Sequence, residues 1–125
     1  MLANRAATMM IPAQDVERAV AWYTDKLGIE PVRRHEWGAD YEFDGVRAFL
    51  YPTSFAGTAE HTLLSFASDD LAADMARLRD RGVSFLDYDL PDLKTVDGLV
   101  DFGGVKNAWC KDSEGNILGF VEGMS

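Results

Sequence analysis

The strongest constraint in this sequence is that its pattern occurs twice. Over residues 15–28 the apolar side chains Val16, Ala19, Val20, Tyr23 and Leu27 recur at the spacing of one helix face. The Asp15 carboxylate can accept from the open amides of the first turn, and Gly28 can take the left-handed backbone that ends a helix. Residues 70–82 repeat the design, with Asp69 or Asp70 as the cap, Leu71, Met75 and Leu78 as the buried face and Gly82 as the stop. A strand-like run precedes each helix (7–11 and 61–67) and another follows it (30–34 and 83–88). Each half then continues into a hairpin. Residues 41–43 and 47–51 are joined by Asp44-Gly45, and residues 108–111 and 117–121 by Ser113-Glu114-Gly115-Asn116. With one further strand drawn from residues 95–104 in the second half, each half reads as a βαβββ module. Module one covers residues 1–57 and module two residues 58–125, meeting at a small polar link around Gly57-Thr58.

Hairpins this short exclude a doubly wound parallel sheet, in which every pair of strands needs a crossover of about a dozen residues. The expected fold class is therefore α+β with mixed sheets. At 125 residues, 47% of them hydrophobic and 26% charged, the chain is the size and composition of one globular domain. Twelve Lys and Arg against 21 Asp and Glu give a net charge of −9, which repels phosphate backbones and anionic lipid surfaces. Nucleic acid and membrane are thus not expected partners, and no apolar run reaches the length of a membrane span. The lone cysteine, Cys110, can form no internal disulfide, which fits a reducing cytoplasm.

The motifs carry more than the pattern does. Ile11-Pro12-x-x-Asp15-Val16-Glu17-Arg18-Ala19-x-x-Trp22-Tyr23-x-x-x-Leu27-Gly28 resembles the first module of the vicinal oxygen chelate superfamily, which holds glyoxalase I, fosfomycin and bleomycin resistance proteins and extradiol dioxygenases. Asp70-Leu71 to Arg81-Gly82-Val83 and Trp109-x-Lys111-Asp112-x-Glu114-Gly115-Asn116-Ile117-Leu118 resemble the second. The resemblance covers nearly the whole chain. It implies paired βαβββ modules forming a curved mixed sheet around a cleft, with the helices outside, but fixes no reaction, because the fold serves many.

In metal-dependent members four inward side chains, His, Gln or Glu, hold one divalent ion. Alignment to the helices and the final turn puts these positions on Thr8, Phe49, Leu63 and Gly119, which offer no competent donor set, so neither metal nor cofactor is expected. His61 lies two residues before Leu63 and so shares its face on a strand. By the same alternation Arg47 and Tyr51 accompany Phe49, and Met10 accompanies Thr8.

The expected ligand-binding set is therefore Trp37, Arg47, Phe49, Tyr51, His61, Leu63 and Trp109, with Tyr51 and His61 facing one cavity. Most aromatic side chains in a sheet protein serve its core. Trp37, beside Gly38 in a polar segment, is the ring least explained by packing. His35 reads as a solvated loop histidine, Cys110 as a buried inert thiol, and Asp112 and Asn116 as turn residues, with Asn116 in a left-handed conformation.

The resulting expectation is a metal-free small-molecule-binding protein that holds an aromatic compound, as the family's resistance members sequester antibiotics, and that pairs as a homodimer. The alternatives are a family enzyme, either a metal-dependent lyase, isomerase or dioxygenase using His61 or a metal-free isomerase using an acid such as Asp101, and an interaction domain with no small ligand.

Overall fold

The computed structural model describes residues 1–124. After a single 3-10 turn (Leu2–Asn4), strand β1 (Met9–Ala13) leads into helix α1 (Val16–Trp22), whose last turn widens into a π turn (Tyr23–Leu27). The short edge strand β2 (Arg33–Arg34) and the hairpin β3 (Ala39–Phe43) and β4 (Val46–Pro52) complete the first sheet, sheet A, in the order β1-β4-β3-β2. The second half runs through β5 (Thr62–Ser68), helix α2 (Leu71–Asp80), a two-stranded flap β6 (Asp89–Leu90) and β7 (Leu93–Lys94), then β8 (Leu99–Phe102), β9 (Val105–Lys111) and β10 (Ile117–Glu122). Sheet B has the order β5-β10-β9-β8. In each sheet the strand before the helix pairs in parallel with the last strand of its half, and the other pairs are antiparallel. The duplication in the sequence is thus a duplication of topology, and the α+β fold with two βαβββ units stands.

Local chemistry sets the boundaries. Asp15 accepts from the Arg18 amide at 3.0 Å and Asp70 from the Ala73 amide at 3.1 Å, so both helices start where the caps place them. They stop at Gly28 and Gly82, with φ of 69° and 89°. The tight β3–β4 hairpin has positive φ at both Asp44 and Gly45, the left-handed pair that a two-residue turn of matching twist requires.

Two expected strands are shorter than their sequence pattern. Residues 30–34 reduce to Arg33–Arg34, because Pro31 brings no amide and only the Val32 amide extends the pairing, onto the Asp40 carbonyl. Residues 83–88 contribute one bridge, Phe85 to Cys110, before the chain leaves sheet B for the flap.

The core lies where the helix-covered sides of the two sheets meet. Ile11, Ala13, Ala39, Tyr41, Ala48 and Leu50 from sheet A join Leu64, Ala108, Cys110, Leu118 and Phe120 from sheet B, with Ala19, Tyr23, Leu71 and Met75 from the helices. Burying each larger aliphatic side chain is worth about 1.5–3 kcal/mol. A file of rings crosses the junction: Tyr23, Tyr41, Phe43, Phe66, Phe120 and Phe85 follow one another at centroid spacings of 5.5 to 5.9 Å.

The β9–β10 turn fastens the halves together. Tyr23 donates its hydroxyl to Asp112 at 2.7 Å, and Asp112 also accepts from the Glu114 and Asn116 amides. Asn116 is not left-handed as expected; Gly115 takes the positive φ, which frees the Asn116 amide group to donate to the Pro12 carbonyl while its oxygen accepts from Gly57.

Candidate functional site

One face of each sheet is spent on the core, and the alternation of strands fixes what the other face carries. On sheet A, Met10, Pro12, Asp40, Glu42, Arg47, Phe49 and Tyr51 project away from the buried set. Phe49 sits in register between Met10 on β1 and Asp40 on β3, Tyr51 lies opposite Pro12, and Arg47 opposite Glu42.

Above Phe49 the loop between β2 and β3 folds back on itself. The His35 amide donates to the Gly38 carbonyl at 2.8 Å, which presents the His35 and Trp37 rings to Phe49. Trp37 meets Phe49 edge-on at 5.2 Å, and His35 lies 5.8 Å from Phe49 and 6.3 Å from Trp37. Gly38 makes this approach possible. A Cβ there would come within 2.6 Å of the Leu50 carbonyl oxygen and 2.7 Å of the Phe49 ring.

The His35 ring is held from its other side, with Nε2 2.9 Å from Asp40 Oδ2. Trp37 nevertheless remains 60% exposed and Met10 47%, an apolar, ring-rich surface left open by the described residues.

The sequence-selected residues fall into two groups. Trp37, Arg47, Phe49 and Tyr51 share the bare side of sheet A. Trp109 lies on sheet B opposite Gly119, its ring met edge-on by Tyr88 at 5.4 Å as the chain heads into the flap. Leu63 lines an open groove of about 650 Å³ with Met9, Phe43, Val46 and Phe66, between the β5 edge and the end of the β3–β4 hairpin. His61 is exposed ahead of β5, its Nδ1 3.1 Å from the neighbouring Thr62 carbonyl. Tyr51 therefore lies on sheet A and His61 just ahead of the first strand of sheet B, and neither lines any of the described cavities.

The four family ligand positions do not suit a divalent ion. Thr8 is exposed ahead of β1, Phe49 is engaged in the ring cluster, and Leu63 lines the apolar groove. At Gly119 a Cβ would stand 3.0 Å from Ser65 Oγ and 3.2 Å from Thr62 Cγ2, so the space a longer ligand would use is taken. Among the described residues no group of three or more His, Cys, Asp and Glu side chains converges. Asp101, a candidate base, is exposed and accepts from the Gly104 amide at 2.6 Å, which makes it a turn residue of the β8–β9 hairpin.

Sequence reasoning missed two groups. The first is His35 with Asp40. Its signal was the hairpin around Gly38, whose pairing of Arg34 with Ala39 brings residues 35 and 40 together. The second is Glu114, whose side chain has no exposed surface and accepts from the Gln14 and Asp15 amides, from Arg18 Nε and Nη2, and from the Ser113 hydroxyl, all at 2.8 to 3.0 Å. Burial alone would raise this carboxyl. The Arg18, Asp15 and Ser113 hydrogen bonds outweigh burial and hold it at about 2.

A family model for the glyoxalase/bleomycin resistance protein/dioxygenase superfamily matches residues 5–120. The chain belongs to this superfamily. Solved members of similar fold include a glyoxalase/bleomycin resistance protein/dioxygenase from Alicyclobacillus acidocaldarius (TM-score 0.71, 19% identity, covering 95% of this chain and 91% of that one). A lactoylglutathione lyase from Agrobacterium tumefaciens superposes with a TM-score of 0.69 at 16% identity, over 96% and 94% of the two chains. TnmS3, an antibiotic binding protein from Streptomyces sp. CB03234, does so with a TM-score of 0.66 at 21% identity, over 95% and 97%. Among curated protein sequences none matches significantly. At these identities the glyoxalase-like superfamily shares its fold with this chain, and the chemistry has to be argued from the chain's own residues. Among the described residues no helix is long and apolar enough to cross a membrane.

Proposed function

We propose that this protein binds a flat, hydrophobic aromatic small molecule on the bare side of sheet A without using a metal, in the manner of a sequestering protein. The observation that carries the reading is the exposed Trp37 ring, held edge-on to Phe49 by a loop that the Gly38 close approach and the His35–Asp40 contact keep in place. Rings already ordered in the free protein lose little entropy on stacking against a ligand. Tyr51 and Arg47 extend the same side with a hydroxyl and a cation that can orient polar substituents. The fold likeness to an antibiotic binding protein supports a binding role.

Trp37 stays exposed on the bare side of sheet A, and we propose that a second copy encloses the ligand there as a homodimer. The buried, unpaired Cys110 agrees with a cytoplasmic setting.

The test is a fluorescence titration with a panel of fused-ring natural products. Saturable quenching is expected, and Trp37→Ala or Phe49→Ala should weaken binding by about 1–3 kcal/mol, the worth of one ring's buried area and pairing. Titrations in which no compound saturates, or in which both variants bind as tightly as wild type, would overturn the assignment.

A further inference from the structure

The ring cluster contains one polar group whose direction of hydrogen bonding follows from the chemistry of its partner. Asp40 is an acceptor when ionised, so the 2.9 Å contact requires His35 Nε2 to carry the hydrogen and donate it. A neutral imidazole protonated at Nε2 presents Nδ1 as a bare acceptor. No described group hydrogen-bonds to His35 Nδ1, and the side chain is 33% exposed beside Trp37 and Phe49. With the ring neutral, the cluster offers a ligand two apolar ring surfaces and, beside them, an acceptor whose tautomer is set from behind by a carboxylate.

We infer that the ligand is a hydroxylated aromatic compound whose phenolic O–H donates to His35 Nδ1 while its ring lies against Trp37 and Phe49. The inference rests on the ring cluster being the ligand site and adds the class of compound. Asp40 acts as a positioning residue: it holds the acceptor tautomer and favours the partial positive charge that His35 gains as the phenol donates. Ethers and bare hydrocarbons of the same shape would fill the apolar surfaces but leave Nδ1 unpaired and stripped of water.

Two measurements test this. In calorimetric titrations with 2-naphthol and its methyl ether, 2-methoxynaphthalene, wild type should prefer the naphthol by about tenfold, the worth of one good hydrogen bond, although the ether is the more hydrophobic. His35→Phe keeps a ring in place and should abolish the preference while still binding the ether. Nitrogen-15 NMR of the His35 imidazole, free of overlap in a His61→Gln background because the chain has two histidines, should show the Nε2–H tautomer, and Asp40→Leu should release it to a mixture.

Equal affinity for the two probes, or an Nδ1–H tautomer in the otherwise wild-type protein, overturns the inference and leaves aromatic binding standing. Failure of both probes to bind refutes the ring-cluster reading and the inference with it.

Discussion

Glu114→Gln tests how the two modules are joined. Glutamine keeps the length and the planar end of the side chain, and its carbonyl can still accept from the Gln14 or Asp15 amide. It loses the charge and turns an amide donor toward Arg18, whose Nε and Nη2 now sit 2.8 and 3.0 Å from the carboxylate. A carboxyl held at about 2 instead of 4.5 is worth about 3 kcal/mol of folding free energy by linkage. The Arg18 side chain is 54% exposed, so water screens part of its attraction, and the expected loss at pH 7 is about 1–3 kcal/mol. The sign follows from the folded-state value lying below the unfolded one: the stabilisation is complete above about pH 4.5 and fades as the pH falls toward about 2. Urea denaturation of both proteins at pH 7, 5, 4, 3 and 2 measures it. Curves that start apart and converge below pH 4 support the network, whereas a gap that stays constant to pH 2, or no gap at pH 7, refutes it.

Gly57→Ala places a methyl group 2.4 Å from the Glu114 carbonyl oxygen at a φ of 77°, so it should cost about 2 kcal/mol or more. Gly45→Ala at the open hairpin meets nothing within 4 Å and should cost only the backbone strain, about 1 kcal/mol; thermal melts of the pair separate packing from conformation. Cys110 is fully buried, and burial together with the Asp112 charge pushes its thiol up to about 12. It should therefore resist Ellman's reagent at pH 8 until denaturant is added, and rapid native labelling would contradict the packing. Sedimentation velocity should show two 13.8 kDa chains together at micromolar concentration, and a lone 13.8 kDa species would remove the proposed enclosure by a second copy.

The parts of the fold legible in the sequence are those that local chemistry decides. Asp15 is a cap in any context that lets a helix follow, as is one of the Asp69–Asp70 pair, of which the structure uses Asp70, and Asp44-Gly45 turns a chain wherever two strands flank it. What sequence could not supply were features created by the partner strand. Residues 83–88 have strand composition, yet only Phe85 bridges sheet B, because β8 occupies the β9 edge up to Ala108 and leaves room for a single contact beyond it. Asn116 likewise looked like a left-handed turn residue. Its side chain is instead engaged by Pro12 and Gly57, groups about a hundred and about sixty residues earlier in the chain.

The site divides along the same line. Strand parity alone puts Phe49, Tyr51 and Arg47 on one side of sheet A, and it is independent of how the sheets are arranged. Which sheet sides meet is a tertiary property, and it separates Tyr51 from His61. Both lie two residues from a family ligand position, but one half's bare side is not folded onto the other's, since the helix-covered sides meet through Tyr23, Phe43 and Phe66. A cleft built from both bare sides is what the proposed homodimer would supply. Among the described residues, rings and a polar side chain converge on the bare side of sheet A at the His35 loop, which the sequence marked only through the unexplained Trp37 and the glycine beside it.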